Sequence, residues 1–132
     1  MQPAARRFCM LAAVLLALAT LIGALGAHAL RPHLSVERFE VLQTAVHYQF
    51  FHALGLLGIG LLCDRVALPW LQLAGWLVFA GVLLFCGSLY VLLAGAPRLL
   101  GVVTPIGGLA LIAGWTALAL ALGRGRGPDS GQ

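Results

Sequence analysis

Thr44, His47, Tyr48, Gln49 and His52 stand in or at the edge of one apolar run, Leu42-Gln-Thr-Ala-Val-His-Tyr-Gln-Phe-Phe-His-Ala-Leu-Gly-Leu-Leu57. Amide, hydroxyl, phenol and imidazole groups so spaced could ligate a metal, relay a proton or bond one helix to another. Polar groups at membrane depth cost free energy, so each needs a structural or functional reason. Metal or haem ligation would need convergent ligands, and His28, His47 and His52 on two helices are the candidates. No HxxxH or CxxC accompanies them. Hydrogen-bonded glue between helices is the reading preferred for all three. No Gly-x-Ser-x-Gly surrounds Ser35 or Ser88, and no acidic residue lies within the apolar spans, so no catalytic residue is assigned. A non-enzymatic protein with no cofactor and no metal is expected.

The elements that must position these groups are membrane helices. With 61% hydrophobic and 9% charged residues among 132, and a mean hydropathy of +1.01, the chain is too apolar for a soluble domain. The expected fold is an all-α integral membrane protein, a four-helix transmembrane bundle. A net charge of +4 does not make a nucleic-acid binder, because the arginines are scattered over the termini and short loops. Cys9, Cys63 and Cys86 form no CxxC and leave one unpaired, so no disulfide framework is expected.

Residues 1–7 form a polar N-terminus, and the spans fall at about 8–30, 45–62, 71–94 and 99–122. The first, Phe8–Leu30, would extend about 34 Å as a helix, enough to cross a bilayer. Ala27-His28-Ala29 matches a signal-peptide cleavage site, but signal h-regions run only about 7–15 residues. Arg6-Arg7-Phe8 grazes a twin-arginine signal without the rest of that motif. The segment is therefore read as a retained helix. Residues 31–44 form an amphipathic connector in which Ser35 caps a helix starting near Val36 and Glu37 occupies its first turn. Ala19, Gly23 and Ala27, spaced by four, and Gly81, Ser88 and Gly95, spaced by seven, are read as close-contact stripes. Thr104-Pro105 reads as a cap and first turn, so Thr104, Pro105, Gly107 and Gly108 form a helix-start turn, with Leu99 to Val103 as a tight entry. That turn, with Arg98 nearby, could hold an anion; a capped helix start with close-packing glycines is preferred. Residues 123–132 are expected to be a disordered tail.

Arg6, Arg7, Arg65, Arg124 and Arg126 share one side, against Arg31, Arg38 and Arg98 on the other, which favours cytoplasmic termini. This topology gathers His28, Thr44, His47, Tyr48, Gln49, His52, Ser88, Tyr90, Arg98 and Thr104 as a candidate polar cluster. His28, Tyr48, His52, Ser88 or Tyr90, and Thr104 are expected to face the interior. On the second span Thr44, Tyr48 and His52 share a face, and His52 is expected to find a partner among Ser88, Tyr90 and Thr104. The expected partners are the lipid bilayer and a membrane protein or second copy, with no nucleic acid.

Gly23-Ala-Leu-Gly-Ala-His-Ala-Leu30, Thr44-Ala-x-x-Tyr48-Gln49-x-x-His52-Ala53-Leu54, Leu84-Phe-Cys-Gly-Ser-Leu-Tyr90 and Thr104-Pro-Ile-Gly-Gly108 with Gly114-Trp115 resemble the YgdD-type family. Its members are small bacterial inner-membrane proteins, with mitochondrial relatives, that carry a domain of unknown function. The resemblance covers about residues 8–120 and implies a four-span bacterial inner-membrane protein, without an activity to carry over. Cys86 stands where the resemblance leads one to expect a serine, so a hydroxyl there is no requirement. The same resemblance places Ala27-His28-Ala29 inside a family motif, which argues against cleavage. Two function classes follow: a structural, accessory or solute- or ion-handling bundle, and alternatively a redox or cofactor-binding protein using His28, His47 and His52.

Overall fold

The computed structural model describes residues 1–124, so residues 125–132, most of the expected tail, lie outside the described residues. Four helices run α1 (Pro3–Leu25), α2 (Val36–Arg65), α3 (Pro69–Leu93) and α4 (Val103–Arg124), each with its flanking turns long and apolar enough to cross a membrane. No strand occurs among the described residues. An exposed residue is one uncovered by protein, which on a membrane-spanning helix means turned to lipid.

Proline sits in the first turn of both α1 and α3, where its missing N–H costs no hydrogen bond. Helix α1 starts five residues earlier than the expected span, so Arg6 and Arg7 ride on its first turns. The Gln2 backbone N–H donates to Asp64 Oδ1 at 2.7 Å, which ties the start of α1 to the end of α2. At its other end α1 widens into a π-helical turn, Gly26–Leu30, and then tightens into a 3-10 turn, Arg31–His33. Ser35 caps α2, accepting from the Arg38 N–H at 3.3 Å. At 30 residues, α2 is about 45 Å long, so its amphipathic first turns continue a span that begins deeper.

Helix α3 ends in a Schellman turn. The Ala96 N–H reaches the Val91 carbonyl, the Gly95 N–H reaches that of Leu92, and Gly95 has φ +100°. Gly95 therefore serves as a cap. Of the stripe spaced by seven, only Gly81 and Ser88 lie in the buried face of α3. Helix α4 begins at Val103 after a 3-10 turn over Arg98–Val102, so Thr104 is already inside the helix and is not its cap.

Packing is sequential: α1 lies on α2, α2 on α3, and α3 on α4. The closest approach is between α3 and α4, where a Cβ on Gly107 would run into the Leu84–Phe85 backbone and one on Gly114 would fall 2.8 Å from Val78 Cγ2. Glycine at these two positions lets the backbones meet. Phe8 reaches across from α1 to lie against Gly75 and edge-on to Trp76, with ring centroids 5.3 Å apart. The core runs through Phe8, Leu56, Leu71, Val78 and Leu111. The chain is an all-α, four-helix membrane bundle.

Candidate functional site

The buried face of α2 is Leu42, Ala45, Gln49, Ala53, Leu56, Ile59, Gly60 and Cys63. Gln49 is the one amide on it, only 3% exposed, and both ends of that amide are used. Its Nε2 donates to the Leu15 carbonyl of α1 at 2.8 Å, and its Oε1 accepts from the Tyr90 hydroxyl of α3 at 2.8 Å. One side chain thus joins three helices. A second polar pair closes α3 on α4: the Ser88 and Thr104 hydroxyls are 2.6 Å apart, and Ser88 Oγ also donates to the Phe85 carbonyl at 2.9 Å. Ser88 Oγ has one proton, so Thr104 is the donor between the two hydroxyls. No buried side-chain nitrogen or oxygen among the described residues lacks a partner.

His28 and His52 are placed otherwise than expected. His28 is exposed on the π-helical turn, and His47 is exposed beside Gly23, Gly26 and Ala27 in a small cavity of about 110 Å³ between α1 and α2. Thr44 and Tyr48 are exposed as well. His52 is half-buried on the outer face of α2. Its Nδ1 lies 2.7 Å from the Tyr48 carbonyl, one turn back in the same helix. A carbonyl can only accept, so Nδ1 carries the proton and Nε2 is the acceptor of the neutral ring. The expected bond from His52 to Ser88, Tyr90 or Thr104 is not made; those hydroxyls are engaged with Gln49 and with each other. Across helices His52 meets aromatic surface instead. Tyr48 stacks on Phe85 at 4.6 Å and on His52 at 5.5 Å, while Trp115 of α4 lies 5.9 Å from the imidazole. The interior expected for His28, Tyr48 and His52 is occupied by Gln49, Tyr90, Ser88 and Thr104.

Among the described residues no group of three histidine, cysteine or carboxylate side chains is arranged to hold a metal, so His28, His47 and His52 do not form one ligand set. The helix-start turn is spent on packing: Thr104 bonds Ser88, Gly107 abuts the α3 backbone, Gly108 is half-buried and Pro105 is exposed. Arg98 is exposed at the head of the 3-10 turn. Outside the membrane region, the Glu37 carboxyl is held below the usual carboxylate range, first by its own backbone N–H and then by the Ser35 hydroxyl. The Arg38 guanidinium, which the spacing of residues did not single out, donates to the Leu93 carbonyl at the end of α3. It satisfies a group that the helix end would leave open.

A family model described as "Protein of unknown function (DUF423)" matches residues 22–108. The UPF0382 membrane protein YwdK of Bacillus subtilis is 40% identical over 115 residues, covering 86% of this chain and 94% of its own. A UPF0382 membrane protein of Staphylococcus epidermidis is 42% identical over 114 residues, covering 86% and 93%. The UPF0382 inner membrane protein YgdD of Escherichia coli is 33% identical over 97 residues, covering 74% of each chain. No solved structure matches.

Proposed function

The chain belongs to the DUF423 family of membrane proteins of unknown function, and from that premise we propose a non-enzymatic inner-membrane protein, a structural or accessory subunit, with both termini cytoplasmic. The observation that carries the structural role is the Gln49 bridge: the most buried polar side chain spends its donor on α1 and its acceptor on α3. An amide committed in this way, one N–H to α1 and its oxygen to α3, holds helices together. Hydroxyls at Ser88 and Thr104 are committed likewise. Orientation is supported by the arginines: Arg6, Arg7, Arg65 and Arg124 cluster at one end, and Arg124 lies over Trp70 at 4.9 Å there. The inner-membrane assignment draws on the name of the Escherichia coli relative.

Two measurements test this. The purified protein should show no Soret band and no stoichiometric metal; either signal would favour the reading in which His28, His47 or His52 acts as ligand. A reporter fused after Gln132 should be active in the cytoplasm, and periplasmic activity would overturn the orientation.

A further inference from the structure

We propose that the cleft between α1 and α3, at the end of the bundle away from the chain termini, holds one acyl chain of an anionic phospholipid whose phosphate is met by Arg31. The cleft follows from the packing order. Helices α1 and α3 both lie on α2 but meet each other mainly through Phe8 and Gly75, near the opposite end. Two apolar cavities open beyond that contact, of about 160 Å³ and 360 Å³, and they share Ile22 and Tyr90. The deeper one reaches Val82 and Leu83, and the outer one reaches Leu93 and Leu34.

Depth matches one leaflet. From Val82 to Leu93 along α3 is about 16 Å by helix rise, close to half of a hydrocarbon core about 30 Å thick. Gln49 and Tyr90 line this cleft, but each is already bonded to the other, so they demand no polar group from the occupant. An alkyl chain suits such a lining.

At the mouth the character changes. A third cavity of about 180 Å³ shares Leu34 with the outer one and is lined by Arg31, Ser35 and Phe39. The Arg31 guanidinium lies over the Phe39 ring at 5.3 Å, a cation–π contact that holds it at the mouth. A planar guanidinium so held is suited to a phosphate diester, which accepts two parallel N–H bonds. Glu37 and Glu40 belong to the same connector, but neither lines any of the three cavities. Positive mouth and apolar cleft together select an anionic amphiphile over a zwitterionic one.

The test uses the full chain in nanodiscs of phosphatidylcholine with phosphatidylglycerol, extracted in mild detergent, with retained lipid counted by mass spectrometry. The wild type should retain phosphatidylglycerol over phosphatidylcholine by about fivefold, the size expected for one arginine at a lipid surface. Arg31→Gln should bring that ratio near one with the helical content unchanged. Ile22→Trp, where the two apolar cavities join, should lower retention of both lipids; Leu83→Trp at the deep end does the same should the first variant fail to fold. Added inorganic phosphate should leave retention unchanged, because the chain supplies the binding. Equal retention of the two lipids by the wild type, a wild-type ratio in Arg31→Gln, undiminished lipid in the folded tryptophan variants, or displacement by phosphate alone would each overturn the proposal.

Discussion

The Tyr90 hydroxyl donates to Gln49 Oε1 at 2.8 Å, across the α2–α3 contact and at the floor of the cleft that α1 borders. Because Gln49 Nε2 is bonded to Leu15 of α1, the phenol orients an amide that in turn fixes a third helix. The relationship ranks the two partners: Gln49 serves two contacts and Tyr90 one.

Gln49→Leu should therefore cost more than Tyr90→Phe. Leucine removes both bonds and strands the Tyr90 hydroxyl, an expected loss of about 1–2 kcal/mol in detergent unfolding. Tyr90→Phe leaves Oε1 without its donor and should cost about 1 kcal/mol. The double variant should be no worse than Gln49→Leu alone, since that change has already broken the bond. Additive losses would show that the two side chains act independently.

A second expectation separates close-packing glycines from idle ones. A Cβ at Gly107 would fall 2.8 Å from the Leu84 carbonyl carbon, and neither backbone can yield without parting α3 from α4. Gly107→Ala should destabilise by about 3 kcal/mol, the upper range for overpacking. At Gly58 a Cβ meets nothing within 4 Å, so Gly58→Ala should be neutral or slightly stabilising through helix propensity. Thermal melts of the two variants in one detergent decide it, and equal effects would contradict the packing.

Why one glycine counts and another does not was only partly legible in the sequence. Helix number and the Ser35 cap follow from span length and local hydrogen bonding, quantities that a linear chain carries. Which face turns inward does not, because lipid is as apolar as a protein core. Leu54 and Leu56 are chemically alike, yet the first is exposed and the second fully buried. The expectation that Tyr48 and His52 face inward follows polarity, whereas the buried stripe follows small residues: Ala45, Ala53 and Gly60 flank Gln49 on it. That stripe was present in the sequence and would have singled out Gln49. Thr104-Pro105 misled for a different reason. A 3-10 turn carried the helix axis back to Arg98, so the hydroxyl was released from capping and bonded Ser88 across the interface.

The connector carries a pH dependence whose sign is fixed. Glu37 titrates below its ordinary value of 4.5 in the folded protein, so its ionised form stabilises the start of α2. That contribution is complete above the unfolded value, declines as pH falls through the lowered folded value, and is absent below it. Ser35→Ala removes one of the two hydrogen-bond donors and should move Glu37 back toward the ordinary value. Carboxyl carbon NMR titration of the two proteins is the direct measurement; an unmoved Glu37 in Ser35→Ala would remove the hydroxyl from the account.

His52 gives the last expectation, and its surroundings decide what a substitution should do. Among the described residues the imidazole bonds only the Tyr48 carbonyl of its own helix and is flanked by Tyr48 and Trp115, so it holds none of the other three helices by hydrogen bonding. The Tyr48 carbonyl keeps its place in the α2 ladder whether or not His52 is present, so removing the ring strands nothing buried. His52→Leu should then cost less than about 1 kcal/mol, well below Gln49→Leu. His52→Phe should be closer to wild type, because it keeps an aromatic face between Tyr48 and Trp115, worth about 0.5–1.5 kcal/mol in stacked pairs. A histidine that ligated a cofactor would behave in the opposite way, with phenylalanine and leucine equally damaging to the bound spectrum and stability lost only with the cofactor. Unfolding curves and optical spectra of the two variants distinguish the cases, and a His52→Leu loss matching that of Gln49→Leu would show that His52 bonds a neighbouring helix.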